Sequence, residues 1–185
     1  MTRSGYVLVG GRSSRMGRDK ARLPYRGEAL AEWIARAVKT AAGSATLVGN
    51  APLGGIPDLY PGEGPLGGIL TALRHTSADW NLIVACDMPE VSAEFLDTLL
   101  DAAELFGASS GAGALLPRGP SGQVEPLCAV YHKRAGAAME RRFADGIRKV
   151  TAALEEVATI WYPVAELKTF QNVNTPEDWA GYAAR

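Results

Sequence analysis

This 185-residue chain has few residues that form cross-links or soft-metal sites, with two cysteines and two histidines in all. Cys86 and Cys128 are too few for a disulfide framework, and we expect them to be buried strand thiols. His75 and His132 have no further Cys or His at the spacing of a ligand set. The sequence therefore argues against a disulfide-stapled domain and against a Cys/His metal centre.

The chain also lacks long apolar runs and a large net charge. No stretch reaches eighteen apolar residues, the length that indicates a membrane span, and the N-terminal MTRSGYVLVGG is too short for a secretory signal. A formal net charge of −1 gives no broad basic surface for nucleic acid. With 47% hydrophobic and 21% charged residues, the composition is typical of a globular protein. We therefore expect a cytoplasmic protein without nucleic-acid or membrane partners.

Short apolar runs alternate with amphipathic segments along the whole chain. This alternation predicts an α/β fold, with residues 1–185 forming a single Rossmann-like, three-layer domain around a mostly parallel sheet. Ligands of such sheets bind outside the carboxyl ends of the strands. Strands are predicted at 6–10, 45–50, 81–90, 113–117, 126–131 and 158–164, and helices at 28–42, from 69 after a glycine–proline loop at 61–68, and at 92–106.

The first strand runs into the basic, glycine-containing stretch VLVGGRSSRMGRDKARL, residues 7–23. Six Lys or Arg residues and one Asp lie between Arg12 and Arg26, which gives a local charge of +5. Glycines let backbone N–H groups approach a ligand, and together with guanidinium and ammonium groups they suit a triphosphate. The glycine spacing matches neither the Walker nor the dinucleotide-binding pattern. The alternative interpretation is a solvated basic loop.

This stretch resembles the L-x-G-G-x-S-x-R-M-G-x-D-K signature of nucleotidyltransferases of the molybdenum cofactor guanylyltransferase type. Later stretches occur in the order that this family shows, so the resemblance covers nearly the whole chain. They are PGEGPLGGILTAL, CDMP, EPLCAVY, GIRKV and FQNVNTPEDW. The resemblance implies an Mg²⁺-dependent enzyme that transfers GMP from GTP to molybdenum-molybdopterin, with pyrophosphate as the other product. It also implies transient contact with molybdopterin-delivering proteins and with recipient molybdoenzymes.

The resemblance further implies a set of site residues. Arg15 and Lys20 would hold the triphosphate and Asp87 the Mg²⁺, which makes these three the candidate catalytic residues. The other candidate binding residues are Leu8, Val9, Gly10, Gly11, Asn50 and Asp58 for the guanosine and its phosphates, Gly64, Pro65 and Leu66 in a second glycine loop over the nucleotide, and Arg148, Asn172 and Asn174 for molybdopterin.

Several of these assignments have a competing interpretation. Asp87 follows a buried strand and suits Mg²⁺, which binds one or two carboxylates together with phosphate oxygens, but it could instead cap the next helix. Asn172 and Asn174 share one side of an extended segment, where they could bind a pterin edge or only fix the last turn. Val9 replaces the family's usual alanine, and Glu125 stands where many relatives have glutamine.

Two other functions also remain open from the sequence. One is a cytidylyltransferase for the same cofactor, or a transferase for another phosphorylated acceptor. The other is a nucleotide-binding module without catalysis, against which the joint presence of Arg15, Lys20 and Asp87 argues.

Overall fold

A computed structural model of the chain describes residues 1–9, 20–49, 54–165, 170, 179 and 182. Its main sheet consists of β1 (Arg3–Leu8), β4 (Thr46–Val48), β5 (Trp80–Ala85), β6 (Ala114–Arg118), β7 (Cys128–His132) and β8 (Thr159–Pro163). The short strands β2 (Pro24–Tyr25) and β3 (Glu28–Ala29) form a separate antiparallel hairpin. The helices are α1 (Leu30–Ala42), α2 (Pro65–His75), α3 (Ala93–Ser110), α4 (Ala135–Ala144) and α5 (Val150–Ala153), with a 3₁₀ turn at Lys20–Arg22.

The main sheet has the strand order β4-β1-β5-β7-β6-β8. β1 is parallel to β4 and β5, and β6 is parallel to β8, whereas β7 is antiparallel to both of its neighbours. The prediction of a mostly parallel sheet is confirmed. All strands except β7 end on the same side of the sheet, which we call the carboxyl edge. Its strand ends are Leu8, Val48, Ala85, Arg118 and Pro163, beside the start of β7 at Cys128.

Helices cover both faces of this sheet. All six residues of β5 are buried, as expected of a central strand packed on both sides. Alternate side chains of β1 belong to different clusters: Val7 joins the core shared with Ile34 of α1, and Tyr6 and Leu8 join the core beneath α2 and α4. The three-layer α/β prediction is therefore confirmed. None of the helices among the described residues has the length and apolar character needed to cross a membrane.

Three helix boundaries differ from the sequence prediction. α1 begins at Leu30 because the residues before it pair in the β2–β3 hairpin, whose turn at Arg26 and Gly27 has positive φ at both positions. α3 continues to Ser110, where Gly111 ends it in the left-handed conformation. α2 begins at Pro65, inside the stretch that was predicted to be a loop.

Two glycines in the first turns of α2 explain that last difference. A Cβ at Gly67 would lie 2.9 Å from the Tyr60 Cβ, and a Cβ at Gly68 would lie 3.1 Å from Leu8 Cδ2. The glycines are therefore needed because the helix passes close to its neighbours, and they do not interrupt it. As a result, the amino end of α2 lies against the last residue of β1, at the carboxyl edge.

Candidate active site

Asp87 and Lys20 lie together at the centre of the carboxyl edge. Asp87 follows β5, whose pairing with β1 extends one residue further through the Cys86 N–H bond to the Leu8 carbonyl at 3.1 Å. Lys20 begins the 3₁₀ turn, and its Nζ is 3.4 Å from Asp87 Oδ2. Each side chain keeps 19% of its surface exposed. Two residues that the sequence assigned to triphosphate and metal, 67 positions apart, are thus brought into one site.

The competing role of Asp87 as a helix cap is not needed. α3 is capped by Ser92, whose hydroxyl accepts the Phe95 N–H at 3.2 Å. Asp87 lies in the turn at 86–87, and four residues, 88–91, separate it from Ser92. The Asp87 carboxylate is therefore available for the site.

Glu125 is a third charged side chain near this position. Its N–H donates to the Pro117 carbonyl at 3.1 Å, and its Oε1 accepts the Leu127 N–H at 2.9 Å. The Leu127 carbonyl in turn accepts the Ala85 N–H at 2.7 Å, which places this segment beside the end of β5. Partial burial raises the pKa of the Glu125 carboxyl; the Leu127 hydrogen bond opposes the rise, and the nearby Asp87 charge adds to it.

Glu125 is a departure from the family pattern whose carboxylate could discourage a second phosphate group or face solvent, and it is not among the site residues that the sequence predicts. The sequence signal for Glu125 is a carboxylate just before the apolar strand in EPLCAVY. In the structure this strand, β7, begins at the same edge that carries Asp87. That inference required β7 to be antiparallel to β5, because only then does its first residue reach the carboxyl edge.

The described residues assigned to the nucleotide also lie at this edge. Leu8 and Val9 are buried at the end of β1, and the Val9 N–H donates to the Val48 carbonyl at 2.9 Å. Gly64 has a positive φ of 80° and precedes Pro65, the first residue of α2. Unpaired N–H groups at a helix amino end favour anions, so this end of α2 suits a phosphate group. Leu66 is fully buried and anchors that turn in the core.

Asp58 fastens the chain to α2. Its Oδ1 accepts the Tyr60 N–H at 2.9 Å and lies 2.9 Å from the Thr71 hydroxyl. The Thr71 oxygen also accepts the Leu59 N–H at 3.0 Å. These contacts give Asp58 a structural role, and its contact with guanine stays a prediction.

Arg148 lies in the turn between α4 and α5, next to the second glycine loop. Its Nε donates to Glu63 Oε2 at 2.5 Å, and its Nη1 donates to the carbonyls of Phe143 and Ile147 at 2.8 and 3.1 Å. The guanidinium carbon is 3.9 Å from the centre of the Phe143 ring. The structure thus joins Arg148, assigned to molybdopterin, to the loop assigned to the nucleotide.

Six of the assigned residues lie outside the described part of the chain, and their roles stay predictions: Gly10, Gly11, Arg15, Asn50, Asn172 and Asn174.

Asp87 is the described residue best suited to hold a metal ion. Within the described ranges, no group of three or more His, Cys, Asp or Glu side chains is arranged to bind one. Mg²⁺ does not require such a cage, since it is commonly held by one or two carboxylates, water and substrate phosphates. The partly exposed Asp87 carboxylate, beside Lys20, fits that kind of site.

The geometry is that of an α/β protein whose carboxyl edge suits an anionic, nucleotide-like ligand. Sequence comparison identifies the family of proteins to which the chain belongs. The chain belongs to the family defined by the MobA-like NTP transferase domain, which matches residues 5–157. It is accordingly a nucleotidyltransferase, and the resemblance noted in its sequence is confirmed.

Individual relatives match almost end to end. The chain is 34% identical to a molybdenum cofactor guanylyltransferase of Xanthomonas euvesicatoria pv. vesicatoria, covering 96% of this chain and 92% of the relative. It is 34% identical to a probable molybdenum cofactor guanylyltransferase of Opitutus terrae, covering 95% and 92%. Among solved structures, molybdopterin-guanine dinucleotide biosynthesis protein A from Archaeoglobus fulgidus superposes with a TM-score of 0.81 at 31% identity, covering 97% and 96%.

Proposed function

We propose that this protein transfers GMP from GTP to molybdenum-molybdopterin, forming the molybdopterin guanine dinucleotide cofactor and pyrophosphate. The observation that carries the proposal is the contact of Lys20 with Asp87, 3.4 Å apart, at the carboxyl edge where α2 also begins. A basic group, a carboxylate and a helix amino end are the parts that a nucleoside triphosphate with a divalent cation requires. The printed names of the relatives supply the base and the acceptor.

On the nucleotide side, Lys20 and Arg15 bind the triphosphate and stabilise the charge that develops on the departing pyrophosphate. The guanosine and its phosphates lie against the segment Leu8, Val9, Gly10 and Gly11. The guanine base contacts Asn50 and Asp58. Gly64, Pro65 and Leu66 place the amino end of α2 against the phosphates. Asp87 holds a divalent cation, Mg²⁺ in this proposal, which when bound withdraws charge from the phosphate oxygens.

On the acceptor side, Arg148, Asn172 and Asn174 bind molybdopterin. An oxygen of the molybdopterin phosphate forms a bond to the α-phosphorus of GTP as the bond to the pyrophosphate oxygen breaks. This nucleophile is already ionised at neutral pH, so the protein needs no general base. The contribution of the chain is in-line positioning and charge stabilisation. Transient contacts with the proteins that deliver molybdopterin and receive the product belong to the same proposal.

Calorimetric titration with GTP, CTP and ATP, with and without Mg²⁺, tests the nucleotide half of this function. We expect Mg²⁺-dependent binding with a clear preference for GTP. A preference for CTP would instead identify a cytidylyltransferase, and binding that ignores Mg²⁺ would indicate a module without catalysis. Pyrophosphate release from GTP on addition of molybdenum-molybdopterin tests the acceptor half, and its absence with a GTP-binding protein would reject the proposed acceptor.

A further inference from the structure

Arg148 is fixed by contacts that use only part of its guanidinium group. Both hydrogens of Nη1 go to the carbonyls of Phe143 and Ile147, and the plane rests on the Phe143 ring. The Tyr60 ring lies against the same phenylalanine, with 4.8 Å between ring centres. These contacts come from the turn and helix that precede Arg148, so they hold the guanidinium in place without Glu63.

The remaining donors form the face that usually binds oxyanions. Nε–H and one N–H of Nη2 point in the same direction and make the two-pronged fork that a carboxylate or phosphate accepts. Glu63 Oε2 accepts the hydrogen bond from the Nε–H of this pair of donors. Among the residues that the structure describes, Nη2 has no hydrogen-bond partner. A phosphate that used both prongs would therefore have to displace the carboxylate.

Glu63 is well placed for such an exchange. It directly precedes Gly64, the residue before the first turn of α2, and it lies 85 positions from Arg148. The two side chains keep 46% and 43% of their surface exposed, so the pair is accessible to a ligand. Exposed ion pairs of this kind contribute little to stability and separate readily.

We propose that Glu63 is a competing counter-ion for Arg148, which the phosphate of the acceptor displaces when it binds. This inference rests on the proposed function, because it takes Arg148 to be the acceptor's anion site. Glu63 thereby lowers the affinity for the acceptor and limits how long a phosphate group stays on Arg148.

The test is the substitution Glu63→Gln, which removes the negative charge and keeps the shape of the side chain. Removing the competing carboxylate frees the fork while Phe143 and the two carbonyls still hold Arg148. We expect the KM for molybdenum-molybdopterin to fall about two- to fivefold at low ionic strength, with the KM for GTP unchanged, since an exposed pair opposes binding only modestly. The matched control is Glu156→Gln, which removes the same charge from an ion pair with Arg141 and should leave both KM values unchanged.

A second measurement does not depend on turnover. The Nε–Hε signal of Arg148, followed by NMR during titration with inorganic phosphate, should show tighter phosphate binding in Glu63→Gln than in the wild type. In an Arg148→Gln background, which removes the cation for which Glu63 competes, Glu63→Gln should no longer change the acceptor KM. An unchanged or higher acceptor KM in Glu63→Gln would overturn the proposal, as would equal or weaker phosphate binding. Absence of turnover in the wild type would instead reject the proposed function, and the phosphate titration would still decide whether Glu63 competes for the fork.

Discussion

Replacing Lys20 with glutamine separates a structural role of this residue from its proposed role in binding. Lys20 Nζ lies 3.4 Å from Asp87 Oδ2, and both side chains are largely buried, with 19% of each exposed. Glutamine keeps a polar side chain and removes the charge. The substitution should therefore weaken both the contact with Asp87 and any contact with the triphosphate, but by different amounts.

The size of the structural effect follows from the distance. Two unit charges 3.4 Å apart attract by about 1 kcal/mol in bulk water and by about 5 kcal/mol at an effective dielectric constant of about 20. Lost hydration offsets most of this attraction for a partly buried pair, which leaves a net contribution of about 1 kcal/mol. A hydrogen bond from an ammonium group to a phosphate contributes about 1.5–3 kcal/mol. We therefore expect Lys20→Gln to lower the unfolding free energy by about 1 kcal/mol and to weaken GTP binding about 10- to 150-fold.

Urea unfolding measures the first quantity, and calorimetric titration with GTP and Mg²⁺ measures the second. Lys133→Gln is the matched control, because Lys133 also forms an ion pair, with Asp79 at 3.0 Å, at the opposite edge of the sheet. It should leave GTP binding unchanged. The reasoning is refuted if Lys20→Gln binds GTP as tightly as the wild type, or if the affinity falls no more than it does in the Lys133 control.

Three further substitutions test other parts of the site. Asp87→Asn should lower Mg²⁺-dependent pyrophosphate release by about 10²-fold or more, because the carboxylate charge is lost while the shape is kept. Glu125→Gln should make the protein more stable at pH 7 but not near pH 4, measured as thermal unfolding across that range. Thr71→Val should lower the unfolding free energy in urea by about 1–2 kcal/mol, because the bonds with Asp58 and Leu59 are lost.

The direction for Glu125 follows from its raised pKa. Burial and the Asp87 charge make the folded protein hold the Glu125 proton more firmly than the unfolded chain does. The contribution of protonated Glu125 to the free energy of unfolding is therefore fully present below the ordinary glutamate pKa of about 4.5. It is lost as the pH rises through the raised pKa of the folded protein. Glutamine removes this decrease and keeps an oxygen for the Leu127 N–H. Identical pH profiles of wild type and variant would contradict the argument, as would full Mg²⁺-dependent turnover in Asp87→Asn or unchanged stability in Thr71→Val.

The sequence was most informative where burial alone decides the structure. All six residues of β5 are buried, and the apolar side of α1 faces the core. The sequence places the start of α2 too late because Gly67 and Gly68 stand in a stretch whose glycine and proline content is typical of a loop. Their purpose is close packing against Tyr60 and Leu8, which are distant in sequence. Glycine composition does not distinguish a flexible loop from a helix that must approach its neighbours closely.

The direction of β7 was not predicted, although the sequence contains the reason. Only residues 119–127 separate β6 from β7, too few for the crossover that parallel neighbours require. That inference would have placed Glu125 at the carboxyl edge. The pairing of Glu63 with Arg148 could not be predicted from the sequence in this way. The partners are 85 positions apart and lie on exposed turns, where no periodic pattern constrains their positions.

Both described cations of the candidate site have a carboxylate partner within the chain, Lys20 with Asp87 and Arg148 with Glu63. In the proposed function, a phosphate that binds at either position therefore replaces one anion with another instead of meeting a bare positive charge. Under this proposal, a protein with a net charge of −1 would bind polyanions locally without a basic surface that attracts nucleic acid. In the proposed function the divalent cation matters more at Lys20, because a cation that arrives with the triphosphate would draw the Asp87 carboxylate away from the lysine. We expect the affinity for GTP without Mg²⁺ to be weak for this reason, since the Asp87 charge then opposes the phosphates.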